Sequence, residues 1–366
     1  MSACLDWVRL SLLPGLGPTG LWRLIHRFGS PSEVLKQPLE KLKKVEGLQA
    51  RQLKGFHAVK QCGEQAKYQL DNIGQAGGRV LSWDDSDYPG LLRQIPDPPP
   101  VLYVIGNVSL LTNCCVAMVG SRSATAYGRR IAASFAEKLS AAKVTVVSGL
   151  ALGIDSEAHA GALAEAGSTV AVLGCGVDVV YPKQNKQLFG QIREYGLVVS
   201  EYPLGTRPEG FRFPARNRII AGLSRGVVVV EAARKSGSLI TAQLALDFGR
   251  EVFAVPGQVD SFKSEGAHWL IQQGAQLVIS TEDVINGVRF SHDFSEGSGG
   301  VAAEDSGEEI DPERARLLQV LEPYPQSLDE VLVKAELTVS KGSEHLLMLE
   351  LDGLVEMGPG DLVRRI

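Results

Sequence analysis

The chain has 366 residues, of which 44 % are hydrophobic and 22 % charged, with a formal net charge of −5. This is ordinary globular composition with enough apolar mass for a large core, and it excludes chain-wide disorder, collagen and disulfide-dense scaffolds. At roughly 100–200 residues per domain, the length implies two or three domains.

No apolar run approaches the ~20 residues of a membrane helix, and the longest, such as Val227 to Val230, are strand-sized. The start, Met1-Ser2-Ala3-Cys4-Leu5-Asp6, lacks the basic segment of a secretory signal. Cys4, Cys62, Cys114, Cys115 and Cys175 form no C-x-x-C pair and no cluster with histidine. Reduced thiols, a cytoplasmic location and no metal site are expected. The charge is unevenly spread: residues 1–105 hold 13 Lys+Arg against 10 Asp+Glu (+3), residues 106–288 hold 17 against 15 (+2), and residues 289–366 hold 7 against 17 (−10). The acidity belongs to the C-terminal piece, so net charge neither supports nor excludes a polyanionic ligand.

Residues 1–78 read as a small helical domain, with Trp7, Leu10, Leu13 and then Leu21, Leu24, Ile25, Phe28 at helical spacing. Leu13-Pro14-Gly15-Leu16-Gly17 and Val45-Glu46-Gly47-Leu48 fit the turn of a helix-hairpin-helix, which aims backbone N–H groups at a phosphate. Two glycine helix caps fit them equally well. Residues 79–105 hold a strand at Arg79–Trp83, the acidic run Asp84 to Asp87 and a proline cluster from Pro96 to Pro100, and a domain boundary is expected in this stretch.

From about 112 to 287, short apolar runs alternate with helical stretches. The runs are Cys115–Val119, Val144–Val147, Thr169–Leu173, Val198–Val199, Gly226–Val230, Val252–Val255 and Gln276–Ile279. Strands apolar on both sides belong to a parallel sheet covered on both faces. Residues 79–288 are therefore expected to form a doubly wound, extended Rossmann-like α/β domain. Residues 289–311 read as a flexible acidic linker. Residues 312–366 read as a winged-helix-like domain, with helices near Pro312–Leu321, Leu328–Ala335 and Ser340–Asp352 and a final hairpin over Leu354–Ile366.

In such a sheet, ligands sit beyond the C-terminal ends of the strands. The first strand is followed by Gly120-Ser121-Arg122, not G-x-G-x-x-G, and the second ends in Ser148-Gly149 with no acid to hold a ribose. A nicotinamide or flavin cofactor is thus not expected. The Arg122 loop suits a phosphate instead. Asp155 and His159, one helical turn apart, are expected to cap their helix and pair with each other. Gly174-Cys175-Gly176 leads to Tyr181-Pro182-Lys183, where an aromatic sits beside a cation and Cys175 is expected to pack. Thr206 to Arg218 carries four arginines and two phenylalanines against one acid, a composition suited to phosphates and stacked bases. Glu231-Ala232-Ala233-Arg234-Lys235-Ser236-Gly237-Ser238 opens another helix as a second anion nest, but G-x-x-x-x-G-K-[ST] is absent and nucleotide hydrolysis is not indicated.

In order, Gly120-Ser121-Arg122, Ser148-Gly149-Leu150-Ala151-x-Gly153-Ile154-Asp155-x-x-Ala158-His159, Tyr181-Pro182, Ser200-Glu201-Tyr202-Pro203, Phe213-Pro214-x-Arg216-Asn217-Arg218, Ser236 to Ala242 and Val255-Pro256-Gly257 resemble the DNA-processing DprA/Smf family. Upstream, Asp87-Tyr88-Pro89-x-Leu91-Leu92 and Pro99-Pro100-x-Leu102-Tyr103 resemble the same family. The motifs span about 84–275 and are weak singly but specific jointly. The flanking domains resemble the family in kind, a sterile-alpha-motif-like or helix-hairpin-helix start and a winged-helix end. The resemblance implies a non-catalytic single-stranded-DNA-binding protein with an extended Rossmann fold. Such proteins protect incoming strands in natural transformation, help load a RecA-type recombinase and dimerise through the Rossmann domain. Carried over by motif, the DNA site is Ser121, Arg122, Ser148, Gly149, Lys183, Phe213, Arg216, Asn217, Arg218, Lys235, Ser236, Gly237 and Ser238. The acidic C-terminal domain is expected to play an accessory part rather than bind duplex.

Two rival classes fit the residues less well. A nucleotide phosphoribohydrolase of related fold needs a catalytic glutamate three residues after Thr241, where this chain has Leu244. A scaffold without nucleic-acid affinity leaves the Phe/Arg stretch at 211–218 without a purpose.

Overall fold

The computed structural model describes residues 2–165 and 169–296 and, nearer the C-terminus, 316–317, 320–321, 326–335, 337–351, 355–358 and 362–365. The chain divides into two compact units, Met1–Ser298 and Gly299–Ile366.

The first unit begins with helices α1 (Ser2–Ser11), α2 (Gly17–Phe28), α3 (Pro31–Lys36), α4 (Leu39–Leu42), α5 (Ala50–Lys54) and α6 (Val59–Gln75). Proline opens α2 and α3, where its missing N–H costs nothing, and the Ser30 hydroxyl caps α3 by accepting the Glu33 N–H at 3.3 Å. Gly15 and Gly47 take φ of +76° and +77° in connections between helices. Arginines cover both turns: Arg51 lies against Gly15, and Arg23 donates to the Gly47 carbonyl. Trp7, Leu10 and Leu24 share one core with Tyr103, Ala171 and Val198 of the sheet, so these helices and the sheet are packed together.

The sheet and its helices follow as β1 (Gly78–Ser82), α7 (Gly90–Arg93), β2 (Val101–Gly106), β3 (Cys115–Val119), α8 (Ala126–Ala141), β4 (Thr145–Ser148), α9 (Ile154–Leu163), β5 (Thr169–Val172), α10 (Lys186–Tyr195), β6 (Leu197–Ser200), α11 (Arg212–Leu223), β7 (Gly226–Val229), α12 (Gly237–Asp247), β8 (Glu251–Ala254), α13 (Glu265–Gln272), β9 (Gln276–Leu277) and α14 (Thr281–Glu296). The order across the sheet is β1-β2-β6-β5-β4-β3-β7-β8-β9. From β6 to β9 every pairing is parallel, while β2 pairs antiparallel with β1 and β6. The doubly wound, mostly parallel sheet is therefore present, with β2 an addition to the strands expected from the sequence.

Alternation along β3 shows why these runs are apolar throughout. Ala117 and Val119 join the core with Ile219 of α11 and Ala242 of α12. Val116 and Met118 join the opposite core with Phe135 of α8 and Ala158 of α9. The order reverses between β3 and β7: the chain works outward through β4 to β6 on one side and through β8 to β9 on the other. The crevice outside the strand ends at that reversal is where an α/β sheet holds its ligand.

The second unit has a sheet in the order β10 (Gln326–Ser327), β12 (Leu362–Arg365), β11 (Val355–Gly358), all antiparallel, with helices Leu328–Lys334 and Val339–Leu351. Leu332, Leu346 and Val363 meet in its core, a winged-helix arrangement. The helix expected near Pro312–Leu321 falls largely outside the described residues. The segment expected as a linker begins as helix, because α14 continues to Glu296, and its remainder, 297–311, lies outside the described residues. Among the described residues, no helix is long and apolar enough to cross a membrane.

Candidate nucleic-acid interface

At the strand reversal the loops after β3 and β7 are built against each other. A Cβ on Gly120 would stand 2.6 Å from Ile154 and 2.9 Å from the Glu231 carbonyl, so only glycine fits. The Ser121 N–H donates to that carbonyl at 2.7 Å. The Glu231 carboxylate accepts both the Thr125 N–H, at 2.9 Å, and the Thr125 hydroxyl, while Thr125 Oγ1 accepts the Gly128 N–H and caps α8. On the β7 side, Ser236 caps α12 by accepting the Ser238 N–H. Asn217, in the middle of α11, donates to the Gly237 carbonyl at 3.4 Å.

Between these loops runs an open groove of about 800 Å³. Its floor is the loop after β4. Arg216 reaches from α11 and donates to the Gly149 carbonyl at 2.8 Å and to the Val172 carbonyl. The Gly149 and Ala151 N–H groups donate to the Asp155 carboxylate at 3.2 and 3.3 Å. Burial pushes the Asp155 carboxyl up, and the nearby Arg216 charge and the two amides work against that. Burial likewise lowers Arg216, with Asp155 opposing. Among the described residues, Asp155 is the single carboxylate lining the groove, against the cations Arg122, Arg216 and Lys235.

One wall is aromatic. Phe213 stacks on Tyr181 with centroids 5.4 Å apart and planes 23° from parallel, and the Arg122 guanidinium lies 5.7 Å from the Phe213 centroid. Beneath this stack a recess of about 80 Å³ is walled by Gly149, Leu150, Gly174 and Cys175. Cys175 packs there, buried, its thiol pushed up to about 11 by desolvation. Guanidinium, ammonium and an aromatic face on one concave surface provide for phosphate contacts and base stacking together.

Residues 79–289 match the family described as DNA recombination-mediator protein A, and residues 301–361 match the DprA winged helix domain. Protein Smf of Escherichia coli K12 is 36 % identical over 369 residues, covering 98 % of this chain and 95 % of its own. The chain belongs to the DprA/Smf family. The DNA processing protein DprA of Streptococcus pneumoniae is 49 % identical over 201 residues, 55 % of this chain and 71 % of its own. The X-ray structure of the S. pneumoniae protein superposes with a TM-score of 0.65 at 37 % identity, over 77 % of this chain and 97 % of that one. DNA processing protein A from Helicobacter pylori, whose structure addresses its single-stranded-DNA-binding mode, gives a TM-score of 0.53 at 31 % identity, over 58 % and 96 %.

Of the residues that the DprA/Smf motifs singled out, Ser121, Arg122, Phe213, Arg216, Asn217, Lys235, Ser236, Gly237 and Ser238 line the groove, and Gly149 lines the recess beside it. Lys183 is exposed but lies outside both linings. Two assignments are corrected. Ser148 is fully buried, its hydroxyl donating to the Met118 carbonyl at 2.6 Å. Arg218 is buried in a two-pronged pair with Glu201, at 3.1 and 2.6 Å, and bonds Asp97 at 3.1 Å. Burial alone would lower Arg218, but Glu201 and Asp97 outweigh it and hold the guanidinium charged. The Phe/Arg stretch enters helix α11 at Arg212, and two residues along a helix point about 200° apart, so Arg216 and Arg218 face opposite ways.

The Asp155–His159 pair is also corrected. Asp155 serves the amides of the groove floor, while His159 Nδ1 meets Thr169 Oγ1 at 2.7 Å. Leu244, where a phosphoribohydrolase needs its glutamate, packs against the hydrophobic core. Sequence reasoning missed Asp155 as part of the groove lining. The signal was its position in the first turn of the helix after β4, where its carboxylate meets the amides of the preceding loop.

Proposed function

We propose that this chain is a non-catalytic single-stranded-DNA-binding recombination mediator that acts in the cytoplasm. It protects incoming strands during natural transformation and helps a RecA-type recombinase to load. The observation that carries the reading is the convergence of Arg122, Phe213 and Lys235 on one groove at the strand reversal, above the buried Arg216 that holds its floor. Exposed Arg122 and Lys235 take phosphates without regard to sequence, and the Phe213–Tyr181 stack takes a base, which a paired duplex cannot offer. The likeness to the H. pylori protein supports the same ligand.

A homodimer through the Rossmann domain completes the reading. The edge strand β9 leaves Leu277 exposed and Ile279 follows it, 74 % exposed. Leu246, Trp269 and Ala275, the last just before β9 in the chain, border a cavity of about 810 Å³. An exposed apolar edge of this kind favours pairing with a second copy. Leu277→Arg is expected to give monomers by light scattering, and an unchanged dimer would place the contact elsewhere.

The deciding experiment is anisotropy of labelled oligothymidylate against duplex of equal length at two salt concentrations. The expected result is tight, salt-dependent binding of the single strand and much weaker binding of the duplex. Equal affinity for both forms, or no salt slope, would overturn the reading.

A further inference from the structure

We propose a second base-stacking station at the mouth of the groove, formed by Tyr202, Arg212 and Phe211, over which the strand continues as it leaves the first. The proposal rests on the single-strand reading above and extends it to residues which that reading does not use.

The two stations use the same parts, two rings and a guanidinium, in a different order. Inside the groove the order is Tyr181, Phe213, Arg122, ring on ring with a guanidinium over the second ring. Outside it, the Arg212 guanidinium sits between two rings, 5.1 Å from the Tyr202 centroid and 5.3 Å from that of Phe211. Arg212 is held from the side as well: it donates to the Arg207 carbonyl at 2.5 Å and pairs with Glu209 at 3.6 Å. A phenylalanine on a surface loop normally costs solvation and samples several rotamers. Here Phe211 is 68 % exposed, yet its inner face is engaged by a fixed cation, so its outer face is presented in one orientation.

Continuity with the groove points to its ligand. Pro208 and Gly210, on the turn that carries Phe211, line the groove, and Phe213 follows two residues later. Arg207 and Arg212 on this turn outnumber its one acid, Glu209, which Arg212 already neutralises in part. An unpaired base leaving the Phe213 station therefore meets a second π-face with positive charge behind it.

The test uses the full-length protein and fluorescein-labelled oligothymidylates, one of about six nucleotides that fills the first station and one of about fifteen that reaches beyond it. Wild type is expected to bind the longer oligomer more tightly. Phe211→Ala is expected to lose about tenfold on the longer oligomer and less than twofold on the shorter, with unchanged melting temperature. In Phe211→Trp, the extra tryptophan emission is expected to quench on adding the longer oligomer only. If wild type binds neither oligomer, the single-strand reading itself fails. If wild type binds both but Phe211→Ala is silent at both lengths and the Phe211→Trp signal does not move, the second station is overturned and the groove stands. Equal losses at both lengths would assign Phe211 to the first station and overturn a separate second one.

Discussion

Arg216 donates to the carbonyl of Gly149 at 2.8 Å, so the floor of the groove hangs from helix α11 rather than resting on its own strand. The N–H of the same glycine donates to Asp155, which makes Gly149 the link in a buried chain from guanidinium to carboxylate.

This arrangement predicts a non-additive pair. Arg216→Ala is expected to cost about 3–5 kcal/mol, because it strands the Asp155 carboxylate in the interior. Adding Asp155→Asn is expected to restore at least about 1 kcal/mol of that loss. Urea midpoints of the two single variants and the double variant measure the coupling. Strict additivity would mean that the two groups do not sense each other.

Arg122 and Arg218, both drawn from the same family motifs, are expected to fail in different ways. Arg122→Ala should lower affinity for single strands by about tenfold or more and leave the melting temperature unchanged, since its side chain is exposed. Arg218→Ala should unfold at lower temperature, by about 3 kcal/mol, because Glu201 is left buried and unpaired. Calorimetry beside anisotropy separates the two, and a destabilised Arg122→Ala would contradict its placement.

Stacking and charge are separable through salt. Phe213→Ala is expected to cost about 1–3 kcal/mol of single-strand affinity with the same slope of log K against log salt. Lys235→Ala is expected to flatten that slope by about 0.7. A slope change in Phe213→Ala would show that the ring acts only by positioning Arg122.

His159 gives a pH dependence of defined sign. Thr169 Oγ1 spends its proton on the Val146 carbonyl, so His159 Nδ1 must donate to it, and Nε2 is left as a bare, buried acceptor. A second proton would have no acceptor, and burial lowers the imidazole to about 3. Because the folded value is depressed, the stabilisation is complete above about pH 6.5 and is lost as pH falls toward 3, on the order of a few kcal/mol by pH 4. Asp155, raised by burial, acts with the opposite sign over part of this range. The difference between wild type and His159→Gln isolates the histidine, and the variant is expected to be flatter between about pH 6.5 and 4. Parallel curves would remove His159 from the account.

Much of the fold was legible because parallel strands buried on both faces are marked by their own composition. Cys115–Val119 was placed to the residue, and the other parallel strands were recognised with their ends shifted by a few positions. Strand β2 was not seen, since the proline cluster before it reads as a break and the second of its two antiparallel partners, β6, lies more than 90 positions further on. The groove's loops could be found from glycines and cations following strands. What sequence could not give was direction: on α11 a register of two residues separates the arginine under the groove from the one locked to Glu201. Ser148 shows the same limit, its hydroxyl turned to a neighbouring strand where a ligand was anticipated.

Glu231 grips Thr125 across the strand reversal, so the arm bearing Arg122 and the arm bearing Lys235 are stitched into one piece. A clamp of two independent jaws would have to shut around its cargo. Here the mould is set when the protein folds, and the loss of freedom on capture falls almost wholly on the polynucleotide.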